Sequence, residues 1–221
     1  MNFNYQVKEF SGIITRIREG SPVKSSRILL LLHGWTGDEN SMWVFSENIP
    51  EDYWVIAPRG LFQAQEKGYS WRKFNQGEPW TPPRMDDFNY GISAIAKLLE
   101  DFQTYKGISV NFVDIMGFSQ GAAFASALLV SHTIKINKTV LLAGFLPEIM
   151  KIRDYQESQF LHDKKVFIAH GNFDETVPIS KSIKMAELLE SMGAEISFCT
   201  DEVGHKVGKQ CFKGLLEFLE A

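Results

Sequence analysis

Six short, nearly unbroken apolar runs, at residues 28–32, 54–57, 112–116, 140–143, 166–169 and 196–199, constrain this chain more than any other feature. Their continuity is that of strands buried on both faces, because a strand covered on one side only would alternate apolar with polar. Amphipathic segments lie between them. Phe88, Ile92, Ile95, Leu99 and Phe102 recur at helical spacing behind Asp86 and Asp87, which the spacing predicts as N-caps. Ile183, Ala186 and Leu189 repeat similarly, as do Val207, Cys211, Leu215 and Phe218. Strands alternating with helices predict a mostly parallel, twisted α/β sheet with helices on both faces. Ahead of it, two extended stretches split at Ser11-Gly12 predict an antiparallel strand pair at a sheet edge.

No linker, repeat or charge run divides the 221 residues, so a single domain spanning 1–221 is expected. With 23 Lys and Arg against 27 Asp and Glu, the chain has no basic surface for a phosphate backbone, and nucleic acid is not an expected partner. The apolar runs are too short to span a bilayer, and Met1 to Phe10 lacks a signal-peptide pattern. No stable membrane insertion is expected, and the default location is cytoplasmic. Cys199 and Cys211 lie in no zinc-like or CxxC spacing and read as two small buried thiols rather than a disulfide framework. No metal or cofactor is expected. A homodimer is compatible with everything the sequence contains.

In parallel sheets, ligands sit beyond the carboxyl ends of the strands. After the third apolar run comes Gly117-Phe118-Ser119-Gln120-Gly121, followed by the helix-forming run 122–130. This is a G-x-S-x-G nucleophile elbow in its strand–turn–helix context, with glycines where side chains would collide. The serine then sits near a helix N-terminus, whose dipole favours negative charge. A serine hydroxyl needs a base, and the chain order for this elbow is Ser, then Asp or Glu, then His. Among five histidines, His33 precedes the elbow, and His132, His162 and His170 precede the best acid. His205 follows every candidate carboxylate. Asp174, in the turn after the fifth run, is the expected acid, and Asp201 and Glu202 are its rivals. Backbone N–H groups of Gln120 and Trp35 are the expected oxyanion donors, and His33 is expected to brace the second loop by hydrogen bonds. Asp114, inside the elbow strand, reads as a hydrogen-bonded structural carboxylate.

Leu32-His33-Gly34 with Gly37-Asp38, Ala57-Pro58-Arg59-Gly60, Gly117-Phe118-Ser119-Gln120-Gly121-Ala122, the 171–178 turn with Asp174, and Gly204-His205 together resemble the phospholipase/carboxylesterase family of α/β-hydrolases, which includes acyl-protein thioesterases. The resemblance implies an α/β-hydrolase fold, Ser119, Asp174 and His205 as the triad, and Trp35 and Gln120 as the oxyanion hole. Two departures stand out. Trp35 occupies a place where many relatives carry a smaller aliphatic residue, and the stretch 61–83 does not follow the thioesterase pattern, so their lipid substrates do not transfer.

The function expected is a serine carboxylesterase that cleaves small, uncharged hydrophobic esters through an acyl-enzyme. Acyl-thioesterase or lysophospholipase activity is the alternative, and a silent hydrolase-fold binding protein is the rival from another class. The partner is then a small-molecule ester or thioester. The aromatic-rich loop 61–83 leaves the active-site side of the sheet, so Trp71 and Trp80, with Phe118 and Phe145, are expected to wall the substrate site.

Overall fold

The computed structural model describes residues 5–21, 27–65, 67–74, 81–148 and 160–221. At the N-terminus, β1 (Tyr5–Phe10) and β2 (Ile13–Arg18) pair antiparallel through a two-residue turn, with Ser11 and Gly12 both at positive φ. That is the backbone hand that matches strand twist. The expected runs become β3 (Arg27–Leu32), β4 (Tyr53–Pro58), β7 (Val113–Phe118), β8 (Ile136–Leu142), β9 (Lys165–Gly171) and β10 (Glu195–Asp201). Strands β5 (Phe62–Gln63) and β6 (Tyr69–Ser70) form a separate small hairpin. The main sheet has eight strands in the order β1-β2-β4-β3-β7-β8-β9-β10. From β4 to β10 every pair is parallel, and β2 joins β4 antiparallel.

Continuous apolar sequence follows from this layering. In β3, Ile28, Leu30 and Leu32 face one core while Leu29 and Leu31 face the other, and none of the five is exposed. The first core takes the helices α1 (Asn89–Lys106), α2 (Gln120–Ser131) and α3 (Ile179–Ser191), and the second takes α4 (Lys209–Glu220). Helix α2 is buried on every side from Gln120 to Val130, which is why it shows no amphipathic pattern.

Two helix details differ from expectation. Asp86 and Asp87 belong to a 3₁₀ turn, Met85–Phe88, and α1 begins only at Asn89. Asp87 instead accepts the Arg84 N–H and pairs with Arg72 at 3.1 Å, so its carboxylate secures the entry turn rather than the helix. In α3 the buried stripe is Ser182, Met185 and Leu189, while Ile183 is exposed.

Asp114 has the structural role expected of it. Its carboxylate takes the Tyr53 hydroxyl at 2.5 Å, the Arg27 guanidinium at 3.1 Å and the Lys138 N–H at 2.8 Å, far from the carboxyl ends of the strands. Burial, reinforced by Asp114, pushes the Tyr53 phenol above its ordinary range, so it stays a donor.

The cysteines depart from expectation. Cys199, late in β10, and Cys211, in the first turn of α4, form a disulfide with Cα atoms 5.6 Å apart. The intervening 202–208 loop folds the helix back onto its strand, and linear spacing carries no signal of that return. Twelve residues separate the pair. Closing so short a loop stabilises the fold by about 3 kcal/mol in the chain-entropy model. Urea unfolding with and without a thiol reductant should show a loss of that size, absent from the Cys199→Ser, Cys211→Ser double variant. Equal midpoints for oxidised and reduced wild type would contradict it.

Candidate active site

The strand order reverses between β3 and β7: from β3 the chain moves outward to β4, then returns to the other side of β3 as β7. Crevices form where strand order reverses, because the following loops diverge to opposite sides. Both loops that carry the expected nucleophile and oxyanion donors leave the sheet at this point.

At the end of β7 the chain turns so sharply that Ser119 takes φ 54° and ψ −115°, outside the regions non-glycine residues favour. The turn is held by Ser119 N–H to Leu142 O at 2.9 Å and by the first turn of α2. The flanking glycines are demanded by contact. A Cβ on Gly117 would lie 2.2 Å from Gly121 O, and one on Gly121 would lie 2.1 Å from Leu32 O. Gly34 is less confined, since a Cβ there would sit 3.2 Å from the Phe118 ring and in ordinary contact, 3.4 Å, with the Ser119 Cβ.

The loop after β3 is tied down from outside by the hairpin. Thr36 N–H reaches Tyr69 O at 3.1 Å, Tyr69 N–H reaches Gly37 O at 2.8 Å, and Gly37 N–H closes on Gly34 O. The Trp35 and Gln120 N–H groups meet no backbone carbonyl among the described residues. The Gln120 side chain is a second tie, accepting the Trp71 N–H at 3.0 Å and the Ser70 hydroxyl at 3.2 Å.

Asp174 and His205 meet across the β9 and β10 loops. His205 Nδ1 lies 2.6 Å from Asp174 Oδ2, and the other carboxylate oxygen accepts the N–H groups of Thr176 and Val177, both at 2.9 Å. Burial pushes the Asp174 carboxyl up, but the His205 bond and the two backbone donors outweigh it and hold the group below the ordinary carboxylate range. The His205 ring also packs on Phe118, with centroids 4.9 Å apart, next to the serine. Gly171 permits this meeting, since a Cβ there would lie 2.2 Å from Val203 O.

The rival acids are engaged elsewhere. Asp201 accepts the Cys211 N–H at 2.9 Å at the start of α4, and Glu202 accepts from Asn172. Of the other histidines, His132 ends α2 in a left-handed conformation and His162 is exposed beside Asp163.

The expected substrate wall fares differently. Trp71 does not face a cleft. It is fully buried, stacked on Phe124 at 4.9 Å, and its indole N–H donates to His33 O at 2.7 Å. Its ring fills the space beneath the hairpin because both its apolar face and its donor find partners there. Phe145 packs half-buried on the same core, and Trp80 lies outside the described residues. Open space lies instead along the loop after β3. A trough of about 740 Å³ is lined by Trp35, Met42, Phe45, Phe118, Val207 and Phe212, with Lys67 and Lys206 also contributing. The residues of 38–48 carry no periodic aromatic signal, so sequence reasoning missed this wall.

A phospholipase/carboxylesterase family model matches residues 16–221. Acyl-protein thioesterase 1 of Saccharomyces cerevisiae is 35% identical over 108 residues, 48% of this chain and 45% of that one. Its Candida albicans counterpart is 25% identical over 151 residues, 66% of this chain and 65% of the other. The chain thus spans between about half and two thirds of the length of these relatives. Among solved structures, a Mesorhizobium loti carboxylesterase superposes with TM-score 0.78 at 20% identity, each chain fully covered. A Bacillus cereus carboxylesterase gives 0.76, also at 20% identity, covering 94% of this chain and 93% of its own. At such identity these likenesses establish the α/β-hydrolase fold.

His33 braces the loop after β3, as expected from the sequence. Its Nε2 accepts the Gly60 N–H at 2.8 Å and its Nδ1 donates to Gly34 O at 2.7 Å, which requires the neutral ring. Burial lowers its pKa to about 4. An unfolded chain takes up this proton below about pH 6.5 and the folded one only near 4, so stability falls as pH drops through that window, by about 3 kcal/mol. In His33→Gln, where an amide oxygen can accept the Gly60 N–H, urea unfolding between pH 7 and 4 should show a correspondingly smaller loss. A pH dependence identical to wild type would contradict the assignment.

Proposed function

Because the chain belongs to the phospholipase/carboxylesterase family, we propose that it is a serine carboxylesterase, with thioesters as secondary substrates. The observation that carries this reading is the 2.6 Å bond between His205 and a buried Asp174, on the same edge of the sheet as the strained Ser119 turn. Ser119 Oγ attacks the ester carbonyl and passes its proton to His205 Nε2. The developing oxyanion accepts from the Trp35 and Gln120 N–H groups, which are fixed before the reaction begins. Imidazolium then protonates the leaving alcohol or thiol, and water repeats the sequence on the acyl-enzyme. Asp174 stays ionised throughout, holding the tautomer that leaves Nε2 free to accept. The same constellation runs on esters and thioesters, so thioester turnover is the arm of the test that the yeast relatives' names motivate.

Labelling by a fluorophosphonate separates turnover from a silent binding protein. Ser119→Ala should abolish labelling and lower kcat by on the order of 10⁶-fold while the protein stays folded, and Asp174→Asn should cost about 10⁴-fold. Asp201→Asn should leave kcat within a few-fold of wild type, because Asp201 caps a helix. A crippled Asp201→Asn beside an active Asp174→Asn would reassign the acid.

The apolar trough supports small, uncharged hydrophobic esters. Each methylene it covers contributes roughly 0.8 kcal/mol, or about fourfold in kcat/KM. Phe212→Ala should therefore flatten the preference for butyrate and hexanoate over acetate p-nitrophenyl esters, with acetate turnover little changed. An unaltered chain-length profile in a folded variant would place the substrate elsewhere.

A further inference from the structure

His170 is the next-to-last residue of β9, and its ring is completely hidden from solvent. The expected chemistry leaves it no part, yet a buried imidazole is costly unless both nitrogens find partners. Nε2 lies 2.7 Å from Val177 O and 3.2 Å from Asp174 Oδ2. A carbonyl and an ionised carboxylate only accept, so Nε2 carries the hydrogen. Nδ1 lies 2.6 Å from the Ser182 hydroxyl on α3, which also lies 2.8 Å from Gly144 O in the turn after β8, so the one hydroxyl hydrogen serves either Nδ1 or Gly144 O. A buried polar cluster of Ser182, His170 and Val177 therefore lies directly behind the Asp174 that meets His205.

We propose that His170 is a positioning residue for the reaction, holding the Asp174 carboxylate in the plane that serves His205. This rests on the esterase reading above. Oδ2 takes the His205 Nδ1–H, and the His170 Nε2 lies 3.2 Å from it while bonding Val177 O; Oδ1 takes the Thr176 and Val177 N–H groups. The longer contact to Oδ2 is backed by the shorter one to Val177 O, on the residue whose own N–H anchors Oδ1. The imidazole thus fixes the carboxylate through its loop, by holding the Val177 carbonyl, with the ring in contact at Oδ2. Without it, Asp174 keeps its backbone donors but loses the constraint that aims Oδ2 at the His205 Nδ1–H. The misalignment appears in the chemical step, since nothing in the trough moves.

Two variants of the full chain separate this role from simple packing. In His170→Gln the amide N–H falls where Nε2 stood and reaches Val177 O, whereas in His170→Asn the amide ends near the Nδ1 position, short of the Asp174 loop. With p-nitrophenyl butyrate, His170→Gln should keep kcat within about threefold of wild type, and His170→Asn should lose about 10- to 100-fold in kcat with KM little changed. The low-field proton NMR resonance of the His205 Nδ1–H should persist in wild type and His170→Gln and broaden or vanish in His170→Asn. If neither variant folds, Ser182→Ala, which frees Nδ1 but keeps the ring, should lower kcat by at least about threefold and broaden the same resonance. Equal kcat in the Gln and Asn variants, a loss confined to KM, or an unchanged resonance would overturn the proposal. A wild type that neither turns over esters nor accepts fluorophosphonate would instead overturn the esterase reading, while the NMR arm still reports on His170.

Discussion

The approach of Gly121 to the end of β3 is the contact on which the rest of the site depends. Only a residue without a Cβ lets the first turn of α2 press against the Leu32 and His33 carbonyls. That pressure brings the loop after β3 beside the loop after β7, at the point where the strand order reverses. Gly34 then lies against Phe118 and Ser119, and the Trp35 and Gln120 N–H groups meet no backbone carbonyl among the described residues. The strain at Ser119 is sustained because the surrounding bonds over-determine it, from Leu142 O below to the helix that begins one residue later.

How much of this was readable from sequence follows from which interactions are local. Buried parallel strands announce themselves as apolar runs, and the elbow's glycines mark the sharp turn. The order of Ser119, Asp174 and His205 singled out one of five histidines, and the structure places that ring against Asp174. Long-range geometry was not legible. Trp71 looks like a pocket aromatic in sequence, yet its indole N–H has a partner only once His33 O is placed above it. The Cys199–Cys211 bond requires knowing that α4 folds back onto β10. Asp87 was read as a helix cap because its pairing with Arg72 spans a segment with no periodicity.

That disulfide bears on more than stability. It joins the strand before His205 to the helix after it, and Asp201 caps that helix from the same strand end. The 202–208 loop is therefore closed at its base by a covalent bond and a side-chain hydrogen bond. A bond of this kind persists in oxidising surroundings and opens where thiols are kept reduced. The cytoplasmic expectation and the closed bond make opposite statements about Cys199 and Cys211, and counting free thiols in the native protein decides between them.

Substrate choice turns on which of two forces dominates in the trough. Its floor is apolar, through Met42, Phe45, Phe118, Val207 and Phe212, while Lys67 and Lys206 add positive charge at exposed positions. An exposed ammonium facing an anion contributes at most about 1 kcal/mol and less in physiological salt. Four methylenes of acyl chain in the trough contribute roughly 3 kcal/mol, with no such screening. Chain length should therefore govern selectivity, and charge should only modulate it. An anionic group near the ester would raise kcat/KM at low salt and lose that advantage at high salt, whereas the preference for a longer acyl chain would survive both. On the esterase reading proposed above, the lysines would set how the rate responds to ionic strength, and the aromatic floor what is cleaved.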